Sequence, residues 1–314
     1  MPKKVIDMRS RPSFLHDFYG ATPGTKEFEV VKWLNRRVGS RDDSHFTRST
    51  SVEAFVQEIR ETRITAAVVV GRDTPGIKHS NDEIHGLCKG QKSLIGIGSV
   101  DPHARGVKAA VEEVGRAVKE LGLRGINVEP GFCNPPRNAD DPMLFPVYDA
   151  CAQLGVPVCI MSGPTSPSFE LNNPAHVGHV ARAFPNLSIV CYHGFYPYVA
   201  EIIGVAFRYE NVFVVPDMYI FLPGGKLYVE AANGFMADQL LFGSSYPFRA
   251  MGQSVEDYMA LGFNPDVVDK VLYANAKRVL IHDHLDHCLD NAVGALPRAE
   301  RGPIEAFKAI TKYL

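Results

Sequence analysis

The chain has 314 residues, 46% of them hydrophobic and 22% charged, with a formal net charge of −2. That balance fits a globular protein with a sizeable core and gives no reason to expect nucleic acid or an anionic membrane as a partner. The longest apolar runs are strand-sized, which excludes a transmembrane helix, and the Met-Pro-Lys-Lys start enters a strand without a signal-peptide core.

The first strand spans 5–12, with Arg9 and Arg11 two residues apart and therefore on one face. Two guanidiniums on one face repel unless an anion or a carboxylate sits between them. A loop over 13–50 follows, carrying His16, Phe18, Tyr19, Trp33 and His45, and is too long for a simple connection. Ser51 caps a helix over 51–61 whose apolar face is Val52, Phe55, Val56 and Ile59. The continuous apolar run 64–71 reads as a strand buried on both faces. The alternation then repeats, with helices over 81–88, 107–121, 142–154, 176–183, 199–209 and 227–235. Between them lie strands over 93–100, 123–130, 156–161, 187–193, 212–217 and 239–245, and 263–281 carries the last helix or two.

Eight apolar strands alternating with helices predict an α/β fold, a (β/α)8 TIM barrel over 1–281. A doubly wound sheet, the runner-up, would carry a glycine-rich phosphate turn after its first strand, and none is there. Residues 282–314 read as a C-terminal extension rather than a second domain, with a helix over 304–314. His282, His284 and His287, with Asp283 and Asp286, resemble a metal cluster on paper but suit a solvated helix end. The six cysteines (Cys88, Cys133, Cys151, Cys159, Cys191, Cys288) are scattered without a CxxC pair, as expected of reduced thiols in the cytoplasm.

Barrel active sites lie at the C-terminal ends of the strands. Those ends offer Asp7, Arg9 and Arg11, then Asn127 and Glu129, Met161, His193, Asp217, and finally Ser245 with Tyr246 and Arg249. Arg9 and Arg11 can grip a substrate carboxylate, and His193 can serve as general acid or base, its neutral form favoured by nearby cations. Ser245, Tyr246 and Asn127 can orient the substrate or stabilise an oxyanion, and Asp217 or Glu129 can carry a second proton or balance the arginines. Each residue also has a structural role open to it. The two arginines can belong to an ion network with Asp7, Glu129 and Asp217, His193 can be an idle core histidine, and Met161 can be an apolar wall. Asp7 reads as a structural partner of the first strand. His16 and His45 can reach the pocket from above.

Several blocks resemble the amidohydrolase superfamily, in the branch of aminocarboxymuconate-semialdehyde decarboxylase, resorcylate-type decarboxylases and pyrone-dicarboxylate lactonase. They are Gly122-Leu123-Arg124-Gly125-Ile126, Pro185-Asn186-Leu187-Ser188-Ile189-Val190 with His193-Gly194, Phe242-Gly243-Ser244-Ser245-Tyr246-Pro247, and Asn275-Ala276-Lys277-Arg278-Val279-Leu280. The first strand resembles the superfamily's Ile-Asp-x-His-x-His-x-x-Pro opening with Arg at both histidine positions. The resemblance implies a metal held by that pair, a fifth-strand His and an eighth-strand Asp. Here those positions are Arg9, Arg11, Met161 and Ser245, and only the sixth-strand histidine survives, as His193. One imidazole cannot hold a divalent ion against two guanidiniums, so no metal and no cofactor are expected. The leading expectation is a metal-independent hydrolase that opens a lactone or amide bond of a small carboxylated substrate. A metal-free decarboxylase, hydratase or isomerase, and an inert barrel that binds a carboxylate or a protein partner, remain as alternatives. The resemblance also implies a homodimer.

Overall fold

The computed structural model describes residues 4–20 and 22–280, so the expected extension, its 304–314 helix and the His282–His287 cluster lie outside the described residues. Seven parallel strands form one sheet in chain order: β1 Ile6–Ser10, β2 Ala66–Val70, β3 Leu94–Ser99, β4 Ile126–Val128, β5 Val158–Met161, β6 Ile189–Tyr192 and β7 Val212–Val215. Their apolar runs are buried because helices cover the outside and the strands themselves fill the inside. The eighth expected strand is an irregular closing segment rather than a ladder. Val214 N donates to Gln239 O at 2.8 Å and Leu241 N to Val214 O at 2.9 Å, while Met8 N donates to Phe242 O at 3.0 Å and Arg11 N to Tyr246 O at 2.9 Å. The segment thus joins β7 to β1 and closes a (β/α)8 barrel. Gly243 allows the close approach, since a Cβ there would meet Val215 Cγ1 at 2.7 Å.

The helices follow from caps and apolar faces. Ser51 caps Val52–Glu61 by accepting from Ala54 N, and Ser80 with Glu83 forms a capping box on Asn81–Cys88. The segment 13–50 is not a plain loop. It contains the helix α1, Lys26–Arg37, capped by Thr25, with Glu27 and Glu29 in its first turn and Arg36 and Arg37 in its last. Phe28 and Val31 of α1 pack with Tyr19, Phe46, Met218, Tyr219 and Phe248, a second core cluster that seats the helix over the barrel mouth. A short hairpin, Asp73–Thr74 with Ile77–Lys78, rises from the end of β2 beside it, turning at Gly76 with φ of 82°. A further helix, Met251–Met259, precedes the expected last helices. Among the described residues no helix is long and apolar enough to cross a membrane. The five described cysteines are free thiols, and burial raises the pKa of each.

Candidate active site

At the C-terminal ends of the strands lies a cavity of about 270 Å3 whose floor includes Arg9, Arg11, Glu129, Met161 and His193. Its walls are largely apolar and aromatic: Phe18, Val30, Trp33, Phe132, Tyr219 and Phe248 all face it. A concave, apolar-walled site with a few convergent polar groups is the usual form of a small-molecule site.

Arg9 of β1 and Arg11 just after it are both buried, but their partners differ. Arg11 is committed to the protein. Its Nε donates to Val70 O at 2.9 Å, and its Nη2 donates to Gly71 O at 3.1 Å and to Glu129 Oε1 at 2.5 Å. Glu129 is also paired through Oε2 with Arg72 Nε at 2.9 Å, and Asn127 Nδ2 donates to its Oε1 at 2.9 Å. Burial alone would raise the Glu129 carboxyl, but Arg72, Arg11 and Arg9 outweigh it and hold the pKa at about 2. Glu129 is thus held as the shared anion of Arg11 and Arg72. Arg9 has no such partner: its Nε and Nη1 are buried without a hydrogen bond, and the guanidinium lies 5.7 Å from the centre of the Tyr192 ring. Burial, then Arg11, pull its pKa from 12.5 to about 10, against the pull of Asp217 and Glu129. Arg11 thus takes the structural role, and Arg9 is the guanidinium left to meet an anion.

His193 lines the cavity with its Nδ1 turned to Asp217, 2.7 Å from Oδ2. The two atoms are not aligned as a hydrogen bond, so the contact is chiefly electrostatic. Burial lowers the His193 pKa most, Asp217 opposes it, and Arg9 and Arg11 add to the lowering. The balance favours the neutral imidazole. Asp217 is fully buried beside it. His193, Asp217 and Ser245 all adopt positive φ, at 60°, 43° and 61°. Such backbone strain in non-glycine residues clusters at functional sites.

Tyr246, Arg249, Asn127 and Ser245, all expected at the site, lie outside the cavity lining, as does Asp217 beside His193. Tyr246 is outside the cavity lining; its hydroxyl donates to Glu58 Oε2 at 3.1 Å, in a buried pair of contacts that includes Ser49. The left-handed turn at Ser245 breaks the strand alternation and rotates Tyr246 away from the mouth. Arg249 binds Val38 O through Nη1 at 2.5 Å and pairs with Asp257, so it anchors the segment after α1. Asn127 is fully buried and positions Glu129 and Gly71 O rather than lining the cavity. Ser245 Oγ is buried without a partner. Asp7 is structural, as expected: it accepts from Ser244 N at 2.8 Å and Arg9 N at 3.0 Å, with burial raising its pKa to about 6. His45 is buried with Nε2 2.7 Å from Pro247 O, and His16 borders a shallow groove beside the hairpin.

Sequence reasoning did not single out Arg72, Phe132 or Tyr219. Arg72 lies two residues past the end of β2, where a strand-end cation next to the Arg9 and Arg11 pair was the available signal.

The superfamily's metal does not fit here. The positions that resemblance assigns to its ligands hold two guanidiniums, a thioether and a hydroxyl around one imidazole, a donor set unsuited to Zn2+ or Mn2+. Among the described residues the one group of three His, Cys, Asp or Glu side chains close enough to share an ion is Asp140, His176 and His179, none of which lines the cavity.

This is a (β/α)8 barrel whose strand ends carry a buried His193–Asp217 pair and, in Arg9, a guanidinium with Nε and Nη1 unbonded. A family model described as Amidohydrolase matches residues 45–280, and the chain belongs to that family. An uncharacterised TIM-barrel protein of Bordetella bronchiseptica is 33% identical with a TM-score of 0.80, over 88% of this chain and 98% of that one. A 2-amino-3-carboxymuconate-6-semialdehyde decarboxylase of Dictyostelium discoideum is 34% identical over 84 residues, which is 26% of this chain and only 22% of that relative's length. A 4-oxalomesaconate hydratase of Rhodopseudomonas palustris is 17% identical with a TM-score of 0.60, over 91% of this chain and 98% of that one, a likeness of fold. The protein is an amidohydrolase-superfamily barrel with Arg9 and Arg11 at the mouth end of its first strand.

Proposed function

We propose that this protein is a metal-independent lyase of the hydratase type, acting on a small carboxylate. The observation that carries the reading is the unpartnered, buried Arg9 guanidinium sharing one cavity with the His193–Asp217 pair. Arg9 donates to the substrate carboxylate from the cavity floor. With Nδ1 turned to Asp217, His193 exchanges protons through Nε2. As base it removes the proton on the carbon next to the carboxylate, and the electron pair moves onto the carboxylate oxygens beside Arg9. The C–O bond on the following carbon then breaks, and the imidazolium returns the proton to the departing hydroxyl as water. The products are an unsaturated carboxylate and water, and hydration runs the same steps backwards.

Decarboxylation is the second reading, supported by the Dictyostelium relative's name. A carboxylate held by Arg9 is stabilised against losing CO2, so this reading needs a substrate with a second carboxylate. Hydrolysis of a lactone or amide, first in the sequence reading, now follows both, because the printed activities among the similar proteins are those of several decarboxylases and a hydratase. An inert binding barrel is the remaining reading, and turnover separates it from the other two.

The test is an absorbance screen of conjugated unsaturated carboxylates and their hydroxy adducts with chelator-treated enzyme. The expected outcome is turnover that His193→Gln abolishes while ligand-induced thermal stabilisation survives. Stabilisation by carboxylates without turnover of any of them, in both proteins, would favour the binding barrel.

A further inference from the structure

Away from the cavity, on the outside of the barrel, a loop residue faces a helix across a gap that is rich in metal-ligating atoms. Asp140 lies in the segment between β4 and the helix Phe145–Leu154. His176 and His179 sit three residues apart on the helix Ala175–Ala183, and that spacing puts both on one face. Their Nδ1 atoms converge on the two oxygens of one carboxylate: His176 Nδ1 is 2.8 Å from Asp140 Oδ1, and His179 Nδ1 is 2.6 Å from Oδ2. The rings stand 5.8 Å apart at 88°, so they approach from two directions rather than stacking. His176 Nδ1 is buried and, despite its distance, makes no aligned hydrogen bond.

We propose that Asp140, His176 and His179 form a three-ligand site for a borderline transition-metal ion, zinc being the first choice. Two imidazoles and a carboxylate are the ligands such ions prefer, and too few oxygens are present for calcium or magnesium. Donors that share one tetrahedral zinc lie roughly 3.3 Å apart at bond lengths of about 2.0–2.1 Å. The present separations of 2.6 and 2.8 Å therefore need only a small opening by side-chain torsion. His179 is half exposed, which gives the ion an entry path and leaves a fourth position open to water. A bound ion would staple the chain beyond Glu129 and Phe132 to the helix that follows β5. The site is independent of the proposed reaction.

The experiment uses tag-free, chelator-treated full-length protein titrated with ZnCl2 by calorimetry and with CoCl2 by its visible absorption. The proposal expects one equivalent bound, a zinc-dependent rise in melting temperature, and affinity weakened at least tenfold by Asp140→Asn and by His179→Gln. His193→Gln should leave binding unchanged. His179→Gln changes a half-exposed side chain, so its loss of binding cannot be ascribed to unfolding. Binding that survives both Asp140→Asn and His179→Gln, binding that His193→Gln abolishes, or no binding below 1 mM would each overturn the proposal.

Discussion

Arg9→Met separates binding from folding. Arg9 pays for its burial: its pKa falls from 12.5 to about 10, chiefly through desolvation and then through Arg11. Each tenfold change in proton affinity is about 1.36 kcal/mol, so keeping this cation inside costs about 3 kcal/mol. The folded pKa still lies above neutrality, so the full cost is present at pH 7 and is relieved only as pH rises through 10. Against it stands the contact with the Tyr192 ring, at 5.7 Å, which offsets about 1 kcal/mol. Met fills the stem's volume without the charge. The variant should therefore be more stable than wild type by about 1–2 kcal/mol, a rise of roughly 2–6 °C in melting temperature. It should also lose all stabilisation by carboxylates. Urea and thermal unfolding at pH 7, with and without ligand, measure both effects. A variant destabilised by more than about 1 kcal/mol would refute the reasoning, because Arg9 would then be holding the fold together.

Glu129→Gln should act in the opposite direction. It leaves Arg11 and Arg72 without their shared anion and should cost roughly 3–5 kcal/mol in urea unfolding. The folded pKa of about 2 lies below the ordinary 4.5, so the gap from wild type should hold above pH 4.5 and narrow as pH falls toward 2. The lowered pKa of His193 puts the acid limb of kcat/KM below pH 6.5, and Asp217→Asn, by removing the opposing anion, should move that limb lower still while reducing the rate; an acid limb above 6.5 contradicts the base assignment. Tyr246→Phe should cost about 1 kcal/mol of stability through the lost bond to Glu58 and leave KM unchanged, which steady-state kinetics checks. Trp33, the chain's one tryptophan, faces the cavity from α1, so its fluorescence should change on carboxylate binding and Arg9→Met should silence the change.

The barrel was legible because strands buried on both faces read as continuous apolar runs, and the strand ends named most of the cavity floor. What the sequence could not separate was Arg9 from Arg11. Their two-residue spacing fixes a common face but says nothing about the carbonyls of Val70 and Gly71, which claim Arg11 and lie some sixty residues further along the chain. Asn127 was found at the right strand end, but its partners Glu129 and Gly71 O are tertiary contacts that no local pattern encodes. Tyr246 was misplaced because Ser245, the last residue of the expected eighth strand, takes a left-handed conformation. The helix α1 was missed inside a long loop, although Thr25 with two acidic residues at one end and two arginines at the other carried the signal.

The central claim is that a substrate anion takes the position a metal holds elsewhere in the superfamily. The most direct measurement is calorimetric titration of chelator-treated Asp140→Asn protein with a panel of small mono- and dicarboxylates, since that variant removes the outer candidate metal site. At least one carboxylate should bind at one equivalent without added metal, and Arg9→Met in the same background should abolish it. Binding that appears only when zinc or manganese is added, or that survives Arg9→Met, would contradict the account.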